Sequence, residues 1–155
     1  FFLEGQRPAA WNHWAEVVWR EPRNPRFIGD MPHTWVGSDF IRAVRTLFVY
    51  ENEADQALVI GAGLPAAWVA SAEGVTVKRM PTWHGTLNYR MVMAGPDLLR
   101  VELSGDIAAP PGGIILHSPL SRPVREVIIN GQPTTAFTTR TVTLNRFPAE
   151  VELRY

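Results

Sequence analysis

GDMPHTWVGSDFIRAVRTLFVYE, Gly29 to Glu51, is the stretch that decides the fold, because a short run rich in His, Trp and Asp opens straight into an amphipathic helix. Ser38 is a good N-cap with Asp39 in the first turn, and Phe40, Ile41, Val44, Leu47 and Phe48 recur at helical spacing as far as about Tyr50. Arg42 and Arg45 take the wetter side. Upstream, AAWNHWAEVVWR (9–20) sets Trp11, Trp14 and Val18 at i, i+3 and i+7 with Ala15 and Trp19 alongside, the stripe of a second helix. Pro22 and Pro25 stop it. The three prolines of EPRNPRFIGDMP (21–32) then predict an extended, anchored loop that delivers His33, Thr34 and Trp35.

Beyond the helix the pattern changes. The acidic run ENEAD, Glu51 to Asp55, reads as a solvated connector with a domain boundary near 51–56, giving a helical segment over 1–52 and a β-domain over 57–155. About nine strand candidates follow, at roughly ten-residue spacing and without helices between them. The clearest is Thr86 to Met93, where Leu87, Tyr89, Met91 and Met93 alternate with Asn88, Arg90 and Val92. Leu99, Val101 and Leu103 alternate likewise, as do Val151, Leu153 and Tyr155. Asn130-Gly131 is the strongest hairpin signal, since a type I′ turn needs positive φ at both central residues. The expected fold class is mainly β, an antiparallel β-sandwich preceded by two α-helices that belong to, or pack on, a helical domain. Two helices without further helical partners look like the end of something larger. The chain also opens FFLEGQRPAAW, with no initiator Met, basic n-region or cleavage-site pattern, so a C-terminal portion is expected.

Composition narrows the classes of function. The 155 residues are 46% hydrophobic, enough to bury one sizeable core. Fifteen basic and fifteen acidic residues cancel without a run of like charge, so the electrostatic footprint of a nucleic-acid or anionic-membrane binder is absent and neutral partners are favoured. Without cysteine there is no disulfide framework and no thiolate metal site. The longest apolar stretches fall far short of the ~20 residues of a membrane span. Six Trp are present, and Trp11, Trp14, Trp19 and Trp35 all lie near the start. Indole rings bury large area as core anchors at a domain junction, the favoured reading of each, and also form platforms for sugar rings.

The phrases MPHTWVGSDFIRAVRTLFVYE, Met80-Pro-Thr-Trp-His-Gly85, PPGGIIL and VIINGQP together resemble the six-hairpin, (α/α)6-barrel glycosidases that carry a C-terminal β-sandwich. The first phrase looks like the last barrel helix of large bacterial members. The resemblance covers the whole chain and includes no catalytic signature. It implies that residues 1 to about 50 close a helical toroid and that residues about 57 to 155 form the β-domain packed on it. It places the general acid and base upstream, outside this chain, so no catalytic role is carried over. Bacterial enzymes of this type are often exported, which makes a secreted or periplasmic location the expectation.

On chemistry alone, GDMPHTWVGSD offers two carboxylates and an imidazole, the groups a glycosidase uses. Asp39 is already explained as a helix-start residue, which leaves Asp30, and nothing fixes the spacing between the two. His33 and Trp35, on a proline-anchored loop before a helix, suit a pocket rim; the competing reading of His33 is a buried ring donating to a backbone carbonyl. Trp83 and His84 form the second candidate, in a turn just before the clearest strand. Trp83 reads either as a sugar platform or as a peg that docks the sheet on the helical domain, with docking favoured. His13 and His117 look structural. The four His are scattered and no HxH or HExxH occurs, so no metal and no cofactor are expected. Gly61-Ala-Gly63 lacks the third glycine and the βαβ setting of a dinucleotide loop. Ser71, Ser104 and Ser118 sit in no GxSxG context.

Two readings of function follow. In the first, the chain is the C-terminal portion of a carbohydrate-active enzyme, and its partners are an upstream helical catalytic domain, or a separate chain carrying it, and an oligo- or polysaccharide. The reaction is then hydrolysis or phosphorolysis of a glycosidic bond. In the second, it is a non-catalytic carbohydrate- or protein-binding sandwich that uses Trp83, Trp68 or both.

Overall fold

A computed structural model describes residues 2–6, 8, 11–16 and 29–155. The chain divides into two compact units, Phe1–Arg45 and Thr46–Tyr155.

In the first unit a 3-10 turn, Leu3–Gly5, precedes the segment around Trp14. The helix expected over 9–20 is not formed at Trp11–Glu16. There the backbone groups that a helix would pair internally are engaged elsewhere. Trp14 makes an isolated antiparallel bridge with Gln6, its carbonyl accepts the His33 N–H at 2.7 Å, and the Glu16 N–H donates to the Asp30 carbonyl at 3.0 Å. The remainder of that expected helix, and most of the proline-rich loop, lie outside the described residues. Trp14 is buried, donates its indole N–H to the Phe2 carbonyl at 2.8 Å and packs on Phe40 with ring centres 4.8 Å apart.

Helix α1 spans Thr34–Phe48 and belongs to both units. It starts five residues earlier than the Ser38 cap predicts, because the His33 carbonyl already accepts the Gly37 N–H at 3.2 Å. Ser38 is therefore inside the helix, its hydroxyl turned back to the Trp35 carbonyl at 2.8 Å, and the first turn holds no acidic residue. The helix ends at Phe48 because its last carbonyls are captured: Gly61 N–H donates to Phe48 O at 2.9 Å and Gly63 N–H to Leu47 O at 3.2 Å.

The second unit is the β-sandwich. Strands β1 (Val49–Asn52), β2 (Ala57–Ile60), β6 (Ile114–His117) and β9 (Thr141–Leu144) form a four-stranded sheet in the order β1-β2-β6-β9. Strands β3 (Val75–Thr82), β4 (Gly85–Gly95), β5 (Leu98–Ile107), β10 (Ala149–Arg154), β7 (Glu126–Ile129) and β8 (Gln132–Pro133) form a six-stranded sheet in the order β3-β4-β5-β10-β7-β8. Every pairing is antiparallel except β2 with β6. The run expected to be a connector is instead the end of β1 and the turn into β2, and a short helix α2 (Ala66–Ala70) interrupts the strands where none was expected.

The alternation read from the sequence is the alternation of burial. Leu87, Tyr89 and Met91 of β4, Leu99, Val101 and Leu103 of β5, and Val151 and Leu153 of β10 are buried. They share one core with Leu58 and Ile60 of β2 and Ile114 and Leu116 of β6. Side chains of both sheets thus fill a single interior, as a sandwich requires. Asn130 and Gly131 take φ of 50° and 77° in the tight turn that joins β7 and β8.

Candidate functional site

Three phrases far apart in sequence meet in the second unit. The β3–β4 loop is only Trp83-His84, closed by the Thr82–Gly85 pair. Gly85 sits at φ 122°, and a Cβ there would run into the Asp106 carbonyl, so this position needs glycine. The Thr82 hydroxyl donates to the Gly85 carbonyl at 2.7 Å and accepts the His84 N–H at 3.1 Å. The His84 carbonyl accepts from Ala108 N–H at 2.9 Å, and the Trp83 N–H donates to the Glu51 carboxylate at 3.2 Å. Short as it is, the loop is held at both residues.

Beside it lies a cleft of about 410 Å³ lined by Glu51, Asn52, Glu53, Gln56, Ala57, Trp83, His84 and Pro111. The Glu53–Gln56 turn supplies one wall. The segment Pro110–Gly113 adds Pro111 and is tied to that turn by Gly112 N–H donating to Gln56 O at 2.9 Å. Asn52 is oriented by its amide, which donates to Asp55 at 2.7 Å. Trp83 leaves 70% of its surface exposed at this cleft. The arrangement pairs a flat apolar face with carboxylate and amide acceptors, the combination that holds a polyol ring. Of these groups the sequence singled out Trp83 and His84. Glu51, Asn52 and Glu53 belong to the run expected to be a solvated connector, and Gln56 carries no local signal of a site.

A second, shallower hollow of about 320 Å³ lies over strands β3 to β5, lined in part by Lys78, Arg79, Asn88, Arg90 and Glu102. Arg79 there has φ 55° in an irregularity of the β3–β4 pairing, and its N–H donates to Asn88 Oδ1 at 2.8 Å.

The candidates Asp30, His33 and Trp35 lie in the first unit. His33 and Trp35 meet edge to face at 5.8 Å. Trp35 is 77% exposed, while His33 Nδ1 is buried without a hydrogen-bond partner among the described residues. The Asp30 side chain is exposed and its carbonyl holds Glu16. His117, in β6, is held below the ordinary histidine range, first by burial and then by the Arg140 guanidinium. Trp68 stacks on Phe48 at 6.0 Å. Among the described residues no group of three or more His, Asp or Glu is placed to hold a metal ion, and no helix is long and apolar enough to cross a membrane.

The second unit is thus a two-sheet β-sandwich with an aromatic, acid-lined cleft among its turns. Searches of protein-family models and of curated proteins return no match to the chain. Among solved structures it is similar to Ara127N-Se, a GH127 β-L-arabinofuranosidase from Geobacillus stearothermophilus T6, at 15% identity and a TM-score of 0.44, over 79% of this chain. The chain spans only 18% of the length of that enzyme.

Proposed function

We propose that the chain is the C-terminal portion of a carbohydrate-active, glycoside-hydrolase-like enzyme, in which the β-sandwich supports a helical catalytic domain that carries the acid and base. The sequence phrases that resemble six-hairpin glycosidases support this reading. The observation that carries it is the state of the first unit. Helix α1 buries none of its side chains, and Leu3, Trp11, Met31, Trp35, Ile41 and Val44 are exposed. Apolar groups in that density call for a covering surface, and a neighbouring helix of a toroid supplies one. His33 and Trp35, about two turns before Ile41, are then the residues of this chain nearest to a sugar-site rim.

The test is native against denatured mass of the protein isolated from its source. The reading expects the 17.4 kDa chain inside a larger particle with a helical partner, and Ile41→Asp with Val44→Asp to weaken that association. A monomer of the chain's own mass overturns it.

The exposed Trp83 over its polar cleft favours a second reading, a non-catalytic carbohydrate-binding sandwich. That reading expects the isolated chain to be monomeric and to bind sugar.

A further inference from the structure

We infer that the cleft beside Trp83 is a subsite for a ring of a neutral glycan. The inference stands on the second unit alone and holds whether or not the first unit completes a helical domain.

Trp83 is the most exposed large apolar side chain of the second unit, yet its backbone is among the most constrained. A two-residue loop, a bond from its N–H to Glu51 and the Thr82 and Ala108 bonds around His84 fix the backbone from which the indole projects. A platform fixed before the ligand arrives loses little entropy on binding. The C–H-rich face of a sugar ring stacks on such a surface, and its hydroxyls need acceptors at the edge. Glu51, Glu53, Gln56 and Asn52 provide them within one cleft.

The lining also separates this role from protein docking. Interface cores are depleted in charged residues, whereas Trp83 is flanked by two carboxylates, Glu51 and Glu53, which would be desolvated at a cost under a docked apolar surface. The same carboxylates set the charge of the ligand. Among the described residues no Lys or Arg lines the cleft, so a uronic or sulfated sugar would meet like charge there and is disfavoured.

The experiment is isothermal titration of the 155-residue chain with arabinotetraose, xylotetraose and maltotetraose, with trigalacturonate and choline as the acidic and cationic probes. The expected result is saturable binding of at least one neutral oligosaccharide in the millimolar range or tighter. Trp83→Ala should weaken it by about tenfold or more and Glu53→Gln by several-fold, at an unchanged thermal midpoint. Trp11→Ala, at an exposed tryptophan outside the cleft, should bind as the parent does. No saturable binding of any neutral probe up to about 10 mM overturns the assignment, as does binding that Trp83→Ala leaves intact. Tighter binding of trigalacturonate or of choline than of the neutral sugars also overturns it.

Discussion

Tyr89 Oη donates to the carbonyl of Phe48 at 3.2 Å, an acceptor that also takes the Gly61 N–H at 2.9 Å. A side chain of the six-stranded sheet thereby fastens the last residue of α1 just before β1 enters the four-stranded sheet. The phenol is buried to 2% exposure, and burial pushes its pKa well above the ordinary tyrosine range.

Tyr89→Phe removes the donor while Phe48 keeps its second partner, so the expected loss is about 1 kcal/mol in denaturant unfolding. The phenol's folded pKa is raised, so its contribution is complete below about pH 10 and is lost as pH rises above that. The parent should therefore lose stability at alkaline pH more steeply than the Phe variant.

His117 gives the opposite limb. Its folded pKa is lowered by burial and by Arg140, so the unfolded chain binds the proton more readily and stability falls as pH drops below about 6.5. Thermal midpoints measured from neutral to mildly acidic pH should decline less for His117→Gln than for the parent. Equal slopes would mean that His117 is not a source of the acid sensitivity.

Gly85→Ala places a methyl group against the Asp106 carbonyl at a backbone conformation that L-residues avoid. It should cost about 2 kcal/mol or more, and near-ultraviolet circular dichroism should report a displaced Trp83. An unaltered tryptophan signal would show that the loop tolerates another path.

Leu153 is fully buried in β10, between β5 and β7. Leu153→Ala should lose about 2–5 kcal/mol, read as a lowered denaturant midpoint. A loss below 1 kcal/mol would argue that the two sheets do not share that interior.

Trp35→Ala should leave stability within about 0.5 kcal/mol of the parent, because the ring is largely exposed. Under the proposed glycoside-hydrolase-like reading, reduced activity of the complete protein at that unchanged stability would support the rim; unchanged activity would remove Trp35 from it.

What the sequence alone determined is the sandwich. Strands β4, β5 and β10 were legible because a period of two, carried by Leu87, Tyr89 and Met91 or by Leu99, Val101 and Leu103, has no competing local explanation. Asn130-Gly131 was legible because its φ requirement is intrinsic to the turn. The tertiary structure decided the rest. Trp11, Trp14 and Ala15 have helical spacing, but Gln6, His33 and Asp30 compete for the same backbone groups, and periodicity cannot weigh bonds to distant partners. Ser38 is a good cap on local grounds, but the start was set one turn earlier by the His33 carbonyl. The parallel match of β2 with β6 likewise depends on what lies across the sheet. Glu51 and Glu53 look like solvated connector until the β3–β4 and Pro110–Gly113 turns are folded against them. A cleft made of three turns exists only when long-range strand pairing has brought those turns together, and no local signal encodes that meeting.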